Sequence, residues 1–156
     1  MALVHPLLLE GQCSSLQGWR MNLYERLRKM KIVLIEDDPG IRNGLRTFFR
    51  YQGCRLQDFG NATLAMEALT KEKVDIIISD YWLPDMDGLT LLQQVRTRQP
   101  EAIRILITAY PTASTREEAA RTGIHDYIEK PLTVQKLEKS LESLIAKSSS
   151  GKEGFF

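Results

Sequence analysis

Five short apolar runs, each separated from the next by a stretch with helical spacing, constrain this chain more than any other feature. The runs are 32–35, 55–59, 74–78, 103–107 and 127–128, the second weaker and the last short. Between them apolar residues recur every three or four positions: Ile41, Leu45, Phe48 and Phe49; Leu64, Ala65, Ala68 and Leu69; Leu89, Leu91, Leu92 and Val95; Ala119 and Ala120; then Leu137, Leu141, Leu144 and Ile145. Near-continuous apolar runs suit strands buried on both faces, and the helical spacing between them suits crossover helices. The order is β-α repeated five times, which predicts one doubly wound α/β domain, a parallel five-stranded sheet with helices on both faces. Gly53, Gly60, Pro100 and Gly123 punctuate the elements, and Asn61, Thr112 and Thr133 are expected N-caps.

A chain of 156 residues suits one such domain with a modest flank at each end. The rhythm occupies residues 31–147. In residues 1–30, Trp19, Leu23, Leu27 and Met30 with Arg20, Arg26, Arg28 and Lys29 have the pattern of a short basic amphipathic helix. A helix this short is marginal alone, so the segment is read as a leader, flexible or forming a short helix, with Met30 resembling a natural start. Residues 148–156, rich in Ser and Gly, read as a flexible tail.

The balance of 21 basic and 20 acidic residues gives a net charge of +1, so the overall field offers no general attraction to nucleic acid or anionic membrane. Cys13 and Cys54 lack CxxC spacing and suit a reduced, cytoplasmic protein. The N-terminus has no basic region, and His5, Pro6 and Glu10 interrupt its apolar core, which argues against export. No run approaches the roughly 20 apolar residues that span a bilayer.

Charge collects where the runs end. Glu36-Asp37-Asp38 follows the first, Ser79-Asp80 the third and Lys130-Pro131 the last. Parallel α/β sheets bind ligands at the carboxyl ends of their strands, near the point where strand order reverses. If the first and third strands are neighbours, Glu36, Asp37 and Asp80 meet there and repel one another, and a hard divalent cation such as Mg²⁺ would relieve the repulsion. One carboxylate of such a cluster can act as a nucleophile and form an acyl phosphate. Lys130 is then the candidate opposing cation, and Thr108, after Ile105-Leu106-Ile107, a candidate hydroxyl. Taken singly, Asp38 and Asp85 fit helix caps better than ligands, and Thr108 fits a turn residue. The joint pattern favours a site. No GxGxxG follows a strand, no GxxxxGK[ST] or GxSxG occurs, and His5 and His125 lack ligand spacing, so dinucleotide, P-loop and serine-hydrolase chemistry lose support.

Together these residues resemble the receiver domain of bacterial two-component response regulators. The similarity covers about 31–147: Glu36-Asp37-Asp38 matches the acidic group after the first strand, Asp80 with Pro84 and Asp87-Gly88 the phosphoacceptor and its loop, and Thr108-Ala109 the switch hydroxyl and its small neighbour. Asp126-Tyr127-Ile128-Glu129-Lys130-Pro131 matches the aromatic switch and the lysine. The resemblance implies the flavodoxin-like strand order 2-1-3-4-5. It implies a histidine kinase or phosphotransfer protein as donor to Asp80, and Mg²⁺ on Asp37, Asp80 and the Trp82 carbonyl, with Glu36 acting mainly through water. Thr108, Tyr127 and Lys130 would pass phosphorylation to the surface of the fourth helix, fifth strand and fifth helix.

The expected role is a signalling receiver, not an enzyme, acting as a stand-alone adaptor or relay on a downstream output protein; a homodimer formed on phosphorylation is a further candidate. The alternative is the receiver of a DNA-binding transcriptional regulator. A metal-dependent aspartyl phosphatase or phosphotransferase ranks below both, because Trp82 stands where its second acid belongs. Trp82 and Tyr110, each two residues beyond a site residue, are expected to screen an acyl phosphate from water.

Overall fold

All five apolar runs pair as parallel strands in the computed structural model, which describes residues 23–153, with side chains described to Ser148. The strands are β1 (Lys31–Ile35), β2 (Arg55–Phe59), β3 (Ile76–Asp80), β4 (Ile103–Thr108) and β5 (Asp126–Glu129), in the order β2-β1-β3-β4-β5. Helices α1 (Pro39–Tyr51), α2 (Ala62–Lys71), α3 (Gly88–Arg98), α4 (Ala113–Arg121) and α5 (Val134–Glu153) connect and complete them. The predicted doubly wound sheet is therefore present in the predicted order. Strand order reverses between β1 and β3, the place where such sheets open a crevice at their carboxyl ends.

Side-chain alternation along the strands divides the interior into two layers. Ile32, Leu34, Ile76, Ile78, Ile105 and Ile107 face α1 and α5, where Phe49, Leu137, Leu141 and Ile145 cover them. Val33, Ile35, Ile77 and Leu106 face α2, α3 and α4, against Ala65, Leu69, Leu92, Val95 and Ala119. Each fully buried aliphatic side chain contributes about 1.5–3 kcal/mol, which makes the double-faced sheet the dominant stabilising element.

Caps set the helix starts. Asp38 accepts from the Gly40 and Ile41 amides, Asn61 from Leu64, and Asp87 from Thr90. Thr112 and Thr115 form a reciprocal capping box at α4. Thr133 accepts from the Lys136 amide at 3.2 Å, as its expected cap role requires.

At both flanks regular structure extends past the expected boundaries of 31 and 147. Residues 23–27 are helical, and Leu23, Tyr24 and Leu27 are buried in the α1/α5 layer, with Tyr24 edge-on to Phe48 at 6.1 Å. The helical reading of this segment thus applies from residue 23: a helix marginal alone is stabilised once its apolar face packs. At the other end, α5 continues to Glu153, past the boundary expected at 147. Cys13, Trp19, Arg20 and residues 154–156 lie outside the described residues. Ile41 and Leu64, expected on inner faces, are exposed.

Arg104 interrupts the apolar run of β4 and is nevertheless buried, its guanidinium donating to the carbonyls of Gln99, Ala102 and Gly123 among others. Gln99, also buried, bonds Leu69, Glu72 and Val74 through its side chain. These two residues satisfy the backbone of the loops at the amino ends of the strands, where an apolar side chain would leave carbonyls unpaired.

Candidate functional site

Strand register brings the charged residues to one edge. Ile35 pairs with Ser79, Asp80 with Ile107, and Thr108 with Glu129, so Glu36, Asp80, Thr108 and Lys130 leave their strands side by side. Asp80 is 3% exposed, Glu36 2% and Thr108 1%, whereas Asp37 is exposed. Carboxylate oxygens of Glu36, Asp37 and Asp80 all lie within 4.8 Å of one another. Lys130 Nζ donates to Asp80 Oδ2 at 2.8 Å and stands 3.6 Å from Glu36 Oε2.

The loops hold this arrangement. The Trp82 amide donates to Asp80 Oδ1 at 3.3 Å, and the Asp38 amide to Glu36 Oε1 at 3.2 Å. Arg42 Nη1 donates to the Glu36 carbonyl at 2.8 Å, fixing the turn out of β1. Gly88 closes the loop after β3, its amide donating to the Tyr81 carbonyl at 2.7 Å. A Cβ at Gly88 would lie 2.0 Å from the Asp80 carbonyl oxygen, so only glycine lets α3 start this close to the strand.

Burial first, and then the Asp80 charge, push the Glu36 carboxyl up to about 7 against the pull of Lys130. Burial lowers the affinity of the Lys130 amine for its proton, but the Asp80 hydrogen bond and the Glu36 charge outweigh it and leave the pKa raised. Two buried carboxyls share one ammonium, and the surplus acid is held partly protonated near neutral pH. This all-oxygen set, with two buried carboxyls to one ammonium, fits a hard divalent cation, which would favour the ionised form of Glu36.

Thr108 accepts from the Tyr110 amide at 3.2 Å. The Lys130 amide donates to the Thr108 carbonyl at 2.7 Å and ties β5 to β4 beside the site. Tyr127 is half-buried; its hydroxyl lies 2.9 Å from Thr115 Oγ1, and the Arg116 guanidinium sits 5.7 Å from its ring centre. Glu36, Asp37, Asp80, Trp82, Thr108 and Lys130 therefore lie at this carboxyl edge, with Tyr127 on the adjoining strand β5. Trp82 and Tyr110, expected as screens, are 59% and 72% exposed, so neither is packed down as a closed lid.

Two contacts were missed from sequence. Asp85, legible as a helix cap, accepts from the amides of Ala62 and Thr63 and so caps α2, a helix 22 residues earlier in the chain. The Thr115 contact with Tyr127 had no signal beyond the capping-box spacing.

Residues 32–142 match the family described as the response regulator receiver domain. The chain belongs to the response regulator receiver family. This receiver is 34% identical over 116 residues to the transcriptional regulatory protein QseB of Haemophilus influenzae, covering 74% of this chain and 52% of that protein. It is 34% identical over 121 residues to the response regulator protein FleR of Pseudomonas aeruginosa, covering 78% of this chain and 25% of that protein. The receiver thus spans about half or less of the length of these curated relatives. Among solved structures it resembles the signal receiver domain of an HD domain-containing protein from Pseudomonas fluorescens, with 30% identity and a TM-score of 0.71 over 78% of this chain and 98% of that one. No helix among the described residues is long and apolar enough to cross a membrane.

Proposed function

We propose that this receiver accepts a phosphoryl group on Asp80 from the phosphohistidine of a sensor kinase or phosphotransfer protein, and that the modification alters the α4-β5-α5 surface read by an output partner. The observation that carries the proposal is the buried Asp80 carboxylate, paired with Lys130 at 2.8 Å inside the three-carboxylate cluster. In the transfer, an Asp80 oxygen forms a bond to phosphorus as the phosphorus–nitrogen bond of the donor breaks, and the electron pair returns to the imidazole. Glu36, Asp37 and Asp80, with the Trp82 carbonyl, would hold Mg²⁺, which would neutralise charge on the transferred group. Lys130, released from direct pairing with Asp80, orients a phosphoryl oxygen, and Thr108 offers its hydroxyl to another. Tyr127 then moves toward the space that Thr108 leaves. This is a shift between two packings, with the phosphoryl group favouring one of them.

The receiver acts as a phosphoacceptor switch rather than as a turnover enzyme, and a cytoplasmic location agrees with this role. Incubation with acetyl phosphate and Mg²⁺ is expected to add one phosphoryl group to the wild type and none to Asp80→Asn, read by intact mass. Modification that persists in Asp80→Asn would refute the assignment.

A second reading concerns what the switch controls. Relatives such as QseB are transcriptional regulators, and the receiver spans only part of each. This favours a receiver that governs a DNA-binding output domain over a stand-alone adaptor or relay, and the size of the protein in its native cell separates the two.

A further inference from the structure

The loop between β3 and α3 is anchored at its ends by backbone contacts: the Tyr81 amide donates to the Ile107 carbonyl at 2.7 Å, and the Gly88 amide to Tyr81. Between those ends, Asp85 reaches across to another helix. Its Oδ1 accepts from the Ala62 amide at 2.9 Å, and its Oδ2 accepts from the Thr63 amide at 2.8 Å and from the Thr63 hydroxyl. The first turn of α2 already has its own cap in Asn61, which accepts from the Leu64 amide at 2.9 Å. Asp85 therefore takes up two amides that Asn61 leaves free and places a negative charge at the positive end of the helix. These hydrogen bonds, that of the Thr63 hydroxyl foremost, keep the Asp85 carboxyl below the usual carboxylate range despite some burial.

We infer that Asp85 is a positioning residue: it ties the β3–α3 loop to α2 and so holds the Trp82 backbone where it completes the divalent-cation site. This rests on the proposed function of that site. Trp82 lies between two tethers, its own amide on Asp80 Oδ1 and the Asp85 clip three residues on. Losing the clip leaves residues 82–86 held by the Trp82 amide and by the packing of Leu83 and Met86, without the polar tie to α2, so more of the loop's order must be supplied when a cation binds. The clip contributes preorganisation and touches neither the ion nor the phosphoryl group.

The test is Mg²⁺ titration of the full chain followed by Trp82 fluorescence, in a Trp19→Phe background that leaves one tryptophan. Asp85→Ala is expected to weaken the apparent Mg²⁺ affinity about tenfold, the size of one net charge-assisted hydrogen bond. Thr63→Val, which removes only the hydroxyl donor, should weaken it by roughly threefold on the same scale. Asn61→Ala is the control, because it weakens the start of α2 without releasing the loop and should leave Mg²⁺ affinity within about twofold. With acetyl phosphate, Asp85→Ala should be slow at limiting Mg²⁺ and regain the wild-type rate at saturating Mg²⁺, a split that a general loss of stability would not produce. Unchanged Mg²⁺ affinity in Asp85→Ala, or an equal loss in Asn61→Ala, would overturn the inference alone. Wild-type protein showing no Mg²⁺ response that Asp80→Asn abolishes would overturn the proposed function and this inference with it.

Discussion

Glu36 holds the surplus charge of the site. Its carboxyl goes from the ordinary 4.5 to about 7 on folding, so between those values the folded protein binds more protons than the unfolded chain. Stability must then fall as pH rises through that window and level off above it. Thermal melts in chelator are expected to show this decline from pH 5 to pH 8, and Glu36→Gln should flatten it. Mg²⁺ should flatten it too, because cation binding displaces the proton, and apparent Mg²⁺ affinity should rise with pH up to about 7. A wild-type melting curve that rises across the same interval in chelator would contradict the sign. The positions of Glu36, Asp80 and Lys130 were legible because each ends an apolar run, and strand ends of a parallel sheet converge. The protonation of Glu36 was not legible in its detail, since it depends on how far the folded chain buries the carboxyl and on a lysine 94 residues away.

At the scale of elements, α4 and β5 meet through Tyr127. Thr115 serves two partners, donating to the Thr112 carbonyl within the capping box and lying 2.9 Å from the Tyr127 hydroxyl. The first turn of α4 and the position of the aromatic ring are therefore coupled. Thr115→Val keeps the volume and removes the hydroxyl, which frees Tyr127 to move and weakens the cap. Beryllofluoride in the presence of Mg²⁺ should then bind about fivefold more tightly, because a hydrogen bond of about 1 kcal/mol no longer opposes the switch. Loss of the reciprocal half of the capping box, in which Thr115 Oγ1 accepts from the Thr112 amide, should lower stability by about 1 kcal/mol. Weaker beryllofluoride binding would mean that Thr115 favours the switched packing instead. Sequence showed that Thr112 caps α4; which tyrosine shares the cap depends on the crossing of α4 over β5, and spacing does not encode that. Asp85 illustrates the same limit, since its carboxylate was legible as a cap while the capped helix was set by tertiary packing.

For the whole molecule, the alternation of strands and helices was legible from periodicity and the strand order through the family resemblance, whereas the packing of the segment before β1 was not. Isolated, residues 23–27 cannot sustain a helix; packed, they close the end of the α1/α5 layer with Leu23, Tyr24 and Leu27. A chain begun at Met30 should be less stable, because Leu23, Tyr24 and Leu27 no longer cover the layer, and should melt at a lower temperature. Equal melting temperatures for the two chains would show that this packing adds nothing to stability. Arg104 was hidden for a related reason, because a charged residue inside an apolar run reads as a strand flaw until the carbonyls around it are in place. Its contacts and those of Gln99 brace the end of the sheet farthest from Asp80, and the phosphoacceptor stands at the other end. There α5 begins, four residues after Lys130, and it runs for 20 residues. At 1.5 Å per residue it is about 30 Å long, and a tilt of about 5° at its origin sweeps its far end by about 3 Å. Were the last helix to pivot there as a rigid body over Leu137, Leu141 and Ile145, it would act as a lever arm, converting a small adjustment beside the phosphoacceptor into a displacement large enough to make or break a contact across the length of the domain.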